Sequence, residues 1–285
     1  MRIDDERESD NIEDRRGMST GGKGLVGGGI GTLVIALVAM YFGVDPSVVL
    51  NQVGNLQPAQ QQSAPASSSP EDEREKKMMA KVLGSTEDTW GAMFQASNSQ
   101  YERPKLVLFS GQVQSACGAA QAAMGPFYCP GDRKLYLDMS FFNDLATRYG
   151  APGDFAQAYV VAHEVGHHVQ NLLGIADQVH NAQHRASETQ GNALQVRMEL
   201  QADCFAGIWA YHADQAHHIL ESGDVEEALA AASGVGDDRL QQQARGVVVP
   251  ESFTHGSSAQ RMRWFSAGAK TGDINQCDTF KAARL

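Results

Sequence analysis

The sequence predicts an α+β fold: a mostly helical outer domain with a small antiparallel sheet, preceded by one transmembrane helix. Three observations predict it. Short β-branched and aromatic runs cluster between residues 105 and 138. From Ser140 onward, apolar residues recur at helical spacing almost to the end of the chain. Residues 25–44, LVGGGIGTLVIALVAMYFGV, hold no charge and no proline. Strands followed by a run of helices are the α+β order. Twenty uncharged residues wound as a helix rise about 30 Å, the thickness of a bilayer's hydrocarbon core.

Each element follows in chain order. Residues 1–24 mix seven acidic with five basic side chains and hold little to bury, so they read as a disordered tail. Residues 25–44 read as a membrane span; the stretch exceeds the about 7–15 apolar residues of a cleaved signal peptide. Arg15, Arg16 and Lys23 precede it, and the first basic residue beyond it is Arg74. The positive-inside rule therefore predicts a single-pass protein with a cytoplasmic N-terminus and the domain outside, periplasmic or extracellular. Residues 45–69, rich in Gln, Pro, Ala and Ser, read as a flexible linker. The folded domain spans 70–285. Ser69-Pro70-Glu71-Asp72 caps a helix running to about Leu83, and a second helix follows Ser85 with Trp90, Met93 and Phe94. KLVLFSG (105–111) reads as a strand, and 127–138 as a hairpin turning at Pro130-Gly131-Asp132. Helices are predicted at about 140–149, 153–172, 188–218, 224–233 and 257–270.

Composition excludes several classes. The 285 residues carry a net charge of −11, with 42% hydrophobic and 20% charged residues. That is ordinary globular composition with no basic excess to replace the counterions of nucleic acid. Four cysteines are too few to build a disulfide scaffold.

The chemistry lies in AYVVAHEVGHHVQNLLG (158–174). His163 and His167, four residues apart, project from one helical face and suit one Zn2+ ion. Glu164 sits about 100° round the helix, placed to act as general base on a water. Chance would produce the H-E-x-x-H pattern in this composition only ~0.015 times. A catalytic zinc takes three protein ligands and keeps one position open. VRMELQADCFAGIWA (196–210) offers Glu199 as third ligand, and Asp203, one turn on, to fix the tautomer of a ligand histidine. The reverse assignment, with Asp203 ligating, is geometrically open. His168 points away from His167 and reads as a capped or exposed side chain. His180 and His184 fall in a polar connection between helices. His255, before a helix that Ser257 or Ser258 can cap, either steadies an oxyanion in the cleft or serves in packing.

These residues resemble the zincin metallopeptidases, and among them the gluzincin pattern H-E-x-x-H…E-x-x-x-D. More closely, the chain resembles the bacterial family called putative neutral zinc metallopeptidases, single-span membrane proteins with an external domain. The likeness covers nearly the whole chain, including SACG (115–118), GPFYCPGDRKLYLD (125–138), AHEVGHHVQ (162–170), ELQADCFAG (199–207) and FTHGSSAQRMRWF (253–265). It implies a zinc-dependent endopeptidase fold whose cleft lies between the two motif helices and an edge strand, with strand 134–138 beside it. The T-H-G run also resembles the T-H-P segment of membrane-associated gluzincins, with Gly256 in place of proline.

All four cysteines follow the apolar segment, and an even number outside the cytoplasm points to disulfides. Of the three connectivities, Cys117–Cys129 and Cys204–Cys277 are favoured. The predicted protein is thus a membrane-anchored zinc metallopeptidase acting on a peptide or protein substrate, held to the lipid bilayer through residues 25–44. In this reading His163, His167 and Glu199 are its ligands, Glu164 and His255 its catalytic groups, and Asp203 the carboxylate that orients a ligand histidine. Two rivals remain open: a non-catalytic zinc-containing scaffold or binding protein of the cell envelope, and a zinc hydrolase of non-peptide amides.

Overall fold

The computed structural model describes residues 1–17 and 69–285. Local capping explains where its main helices begin. Helix α1 (Pro70–Ala96) opens with the Ser69–Asp72 capping box and proline in its first turn. It continues unbroken through Gly84 and Ser85, where the sequence suggested two helices. The apparent breakers serve tertiary contacts instead: Trp209 donates its indole N–H to Ser85 at 3.0 Å, and a Cβ at Gly84 would lie 2.5 Å from the Arg7 carbonyl.

Strand β1 (Ile12–Asp14), β2 (Lys105–Phe109), β5 (Phe127–Cys129) and β6 (Lys134–Asp138) form one sheet in the order β1-β2-β6-β5. Strands β3 (Gln112–Ser115) and β4 (Gly118–Gln121) form a separate antiparallel ribbon. The predicted hairpin is the antiparallel β5–β6 pair. To the expected small antiparallel sheet the fold adds two parallel pairings, β1 with β2 and β2 with β6. Strand β6 is consequently interior. The edge strands are β1 and β5, and the 134–138 strand that the resemblance placed beside the cleft is not one of them.

Seven more helices follow among the described residues: α2 (Phe141–Thr147), α3 (Asp154–Leu172), α4 (Ile175–Gln183), α5 (Glu188–His217), α6 (Asp224–Gly234), α7 (Asp237–Arg245) and α8 (Ser258–Thr271). Helices α4 and α7 escaped the sequence reading because both are short and carry few apolar residues. Helices α5 and α8 both begin with a serine–glutamine capping box, at Ser187 and Ser257. Helix α5 packs chiefly on α8 and α3. Its crossing with α8 is close because a Cβ at Gly268 would lie 2.0 Å from the Cys204 carbonyl. Phe155, Tyr159, Val165, Phe205, Trp209 and Phe265 fill the core between these helices. Both disulfides, Cys117–Cys129 and Cys204–Cys277, are present as favoured.

Residues 1–16 correct the disordered tail expected over 1–24. They form one compact unit with the domain, adding β1 to its sheet. The reading from composition missed this because polar contacts add to the segment's few apolar ones: Ile3 is buried in the core, and Ser9 and Asn11 both donate to Glu87, at 2.7 Å. The predicted span 25–44 and nearly all of the linker 45–69 lie outside the described residues. Among the described residues, no helix is long and apolar enough to cross a membrane.

Candidate active site

Helix α3 presents Val160, His163, Glu164 and His167 to a cleft, and α5 presents Gln195, Met198 and Glu199 opposite. The two helices come close at Gly166, inside the histidine motif, where a Cβ would lie 2.9 Å from the Ala202 carbonyl. That approach brings the ligand side chains within reach of each other. His163 Nε2 and His167 Nε2 stand 3.3 and 3.5 Å from the same oxygen, Glu199 Oε2. With zinc–ligand bonds of about 2.0–2.1 Å, a tetrahedral site has ligand–ligand edges of about 3.3–3.4 Å. The donor set of His163, His167 and Glu199 therefore fits Zn2+, and Asp203 is not in the group whose ligand atoms converge.

Each ligand is held from behind. Asp203 accepts from His163 Nδ1 at 2.8 Å, as the sequence reading proposed, leaving Nε2 free to ligate. Asp203 also accepts from Tyr159 Oη at 2.5 Å and from two nitrogens of Arg261, each at 2.8 Å. His167 Nδ1 pairs with Gln170 Oε1 at 2.9 Å, while the Gln170 amide donates to Met198 O and Gln201. Gln195 donates to Glu199 Oε1 at 2.9 Å and so leaves Oε2 toward the histidines. Gln170, Gln195, Tyr159 and Arg261 were missed as site residues. The first two sit three or four residues from a ligand on its own helix, a signal that spacing alone could have supplied. Tyr159 likewise lies four residues before His163 on its own helix, whereas Arg261 comes from a distant helix and only tertiary packing joins it.

Electrostatics follows from this enclosure. Burial opposes the charge on Asp203, but Arg261 and His163 hold its carboxyl down at about 2. Burial likewise opposes a charged His163, yet Asp203 and Glu199 raise it to about 9 in the metal-free protein. A histidine raised from about 6.5 stabilises the metal-free fold fully below that pH, and the contribution vanishes as pH climbs through 9. Zinc must displace this proton. Zinc uptake at pH 7 is therefore expected to release a proton, measurable by calorimetry in buffers of different ionisation enthalpy. Identical heats in all buffers would contradict it.

His255 lines the same cleft. Asp237, the first residue of α7, accepts the backbone N–H groups of Thr254, His255 and Gly256 at 2.6–3.0 Å on one oxygen. Its other oxygen lies 3.3 Å from His255 Nδ1. Gly256 has φ +91°, which proline's fixed ring cannot adopt, and its N–H is in use. This explains the departure from T-H-P. The hydrogen bond to Asp237 leads the causes that raise the His255 pKa. Asp237→Asn removes that carboxylate charge. The alkaline limb of kcat/KM is then expected to move to lower pH, as a pH–rate profile would show; an unmoved limb would separate His255 from turnover.

His168 corrects its reading as capped or exposed: it is fully buried, with Nδ1 near Tyr128 Oη and Nε2 on the Glu102 carbonyl. It ties edge strand β5 to α3. His180 lies on helix α4 and His184 is its C-cap, in the polar connection expected, and the two pair with each other at 2.9 Å. The cleft holds about 740 Å³, walled by Phe127 and Tyr128 of β5 on one side and Tyr149, Val235 and Leu240 among its other lining residues.

The profile of the family described as putative neutral zinc metallopeptidase matches residues 1–280. The chain belongs to that family. Zn2+ is accordingly the cofactor this metallopeptidase-family site implies. The chain is 50% identical over 289 residues to the uncharacterized protein YpfJ of Escherichia coli strain K12, covering 98% of this chain and 99% of that relative. It is 52% identical over 195 residues to the uncharacterized protein Rv2575 of Mycobacterium tuberculosis strain H37Rv, and equally to Mb2605 of Mycobacterium bovis, covering 65% of each chain. No solved structure matches the chain.

Proposed function

We propose that this member of the family is an active peptidase that hydrolyses peptide bonds with Glu164 as general base. The observation that carries the reading is one cleft in which His163 and His167 meet Glu199 of the facing helix at zinc-ligand spacing, with Glu164 lining the same cleft. Zn2+, when bound, supplies a Lewis acid that polarises a carbonyl and acidifies water. Glu164 takes the proton of the attacking water and passes it to the leaving amine. His255, whose pKa the hydrogen bond to Asp237 raises, donates to the oxygen on which negative charge develops. Asp203 and Gln170 hold the ligand imidazoles in one tautomer and orientation. The exposed edge of β5 suits an extended peptide adding as a strand, so that main-chain hydrogen bonds supply affinity without sequence demands.

The two disulfides support an oxidising compartment. Residues 25–44 belong to the same proposal as the lipid-contacting segment. Chelation of the purified protein is expected to abolish cleavage of a mixed peptide library, with one equivalent of Zn2+ restoring it. Undiminished cleavage by zinc-free protein would overturn the reading. Zinc restored without any cleavage would favour the scaffold rival.

A further inference from the structure

Residues 1–16 and the domain are one body, and that bears on the apolar stretch between them. Strand β1 pairs with β2 at Ile12–Leu106, Glu13–Val107 and Asp14–Leu108. Backbone hydrogen bonds join Arg2 to Ile219, Ser9 to Ala80 and Arg15 to Leu108, at 2.7–2.9 Å. The anchor is Glu87 on α1, only 1% exposed. Its carboxylate receives Ser9 Oγ, Asn11 Nδ2 and Arg7 Nη2, each at 2.7 Å. The contact is close as well as polar: a Cβ at Gly84 would lie 2.5 Å from the Arg7 carbonyl.

Remove this segment and Glu87 loses these three donors, while β2 becomes an open sheet edge. The domain is built to hold residues 1–16. The same contacts place the two ends of the intervening chain together. Arg16 donates to the Asp72 carbonyl at 3.2 Å, and Lys76 pairs with Asp14 at 3.0 Å. The chain thus departs at residue 16 beside the first turn of α1, where it returns.

A single crossing by residues 25–44 would put residues 1–16 and the domain on opposite sides of a bilayer. Residues 17–68 contain only one uncharged apolar stretch long enough to cross, so a return crossing has no sequence to make it. We infer that residues 1–16 and the metallopeptidase domain occupy the same side of the membrane, so that the chain between them does not end up across it. This replaces the single-pass arrangement with a cytoplasmic N-terminus. It holds whether or not the site cleaves peptides.

The test uses the full-length chain in bacterial spheroplasts, with Glu8→Cys and Gln100→Cys as separate variants at exposed positions. A membrane-impermeant maleimide is applied before and after permeabilisation. Equal labelling of both sites in intact spheroplasts is expected. Labelling of one site before permeabilisation and the other only after it would overturn the inference. Labelling of both only after permeabilisation would uphold the shared side and instead overturn the oxidising compartment. Docking is read separately in the double variant Glu8→Cys/Lys77→Cys, whose parent side chains lie 3.8 Å apart. A short bis-maleimide is expected to link the two in membranes, seen by mass spectrometry of the digested chain. Loss of that link in a folded, zinc-binding protein would also overturn the inference.

Discussion

Glu164→Gln is expected to bind zinc as the parent does and to lose peptidase turnover by about 100- to 10,000-fold in kcat/KM. Glu164 lies on the cleft wall between the two ligand histidines, yet it is not in the group whose ligand atoms converge. Glutamine has the same shape and cannot take up a proton at neutral pH. The substitution therefore separates metal binding from proton transfer. Metal content by atomic emission and initial rates on one peptide decide the matter. Near-parental turnover with full zinc would remove Glu164 from the reaction, whereas loss of zinc would make it a fourth structural ligand.

The second large effect is expected at Arg261. Its guanidinium is 4% exposed and makes two 2.8 Å bonds to Asp203, which is itself fully buried. Arg261→Met leaves the Asp203 carboxylate with His163 and Tyr159 alone. Breaking a buried pair in this way costs about 3–5 kcal/mol, measurable as a lower urea midpoint at unchanged m-value. Arg261→Met/Asp203→Leu removes both charges and is expected to recover much of that stability. It does not recover the orienting bond to His163, so zinc affinity stays about 10- to 100-fold below the parent. A double variant with parental zinc affinity would show that Asp203 serves the fold and not the metal. Parental stability in the single variant would contradict the buried-pair argument.

Much of this site was legible before any coordinates. His163, Glu164 and His167 announce themselves because a helix has a fixed period, so spacing along the chain is spacing in space. Glu199 and Asp203 follow by the same rule on a second helix. The Ser69 and Ser257 caps and the turn at Pro130-Gly131-Asp132 are equally local. Gln170 and Gln195 were within reach of that logic and were passed over because glutamine carries no charge to attract notice.

What spacing could not supply is contact between segments distant in sequence. Arg261 meets Asp203 only because α8 crosses α5 at backbone distance. Asp237 meets His255 only because α7 folds back beside the loop before α8. The parallel pairing of β1 with β2 joins residues more than ninety positions apart, and nothing in a three-residue strand declares its partner.

The sequence by itself determined the α+β class and singled out His163, His167 and Glu199, whose ligand atoms the structure brings together, since helical and strand periodicity act within each segment. Only the tertiary structure decided that residues 1–16 belong to the domain, and with them the sidedness argument for the apolar stretch. Composition counts burial in apolar area, whereas this segment is held by a buried carboxylate and a shared strand edge. Both exist only once α1 and β2 have been brought together.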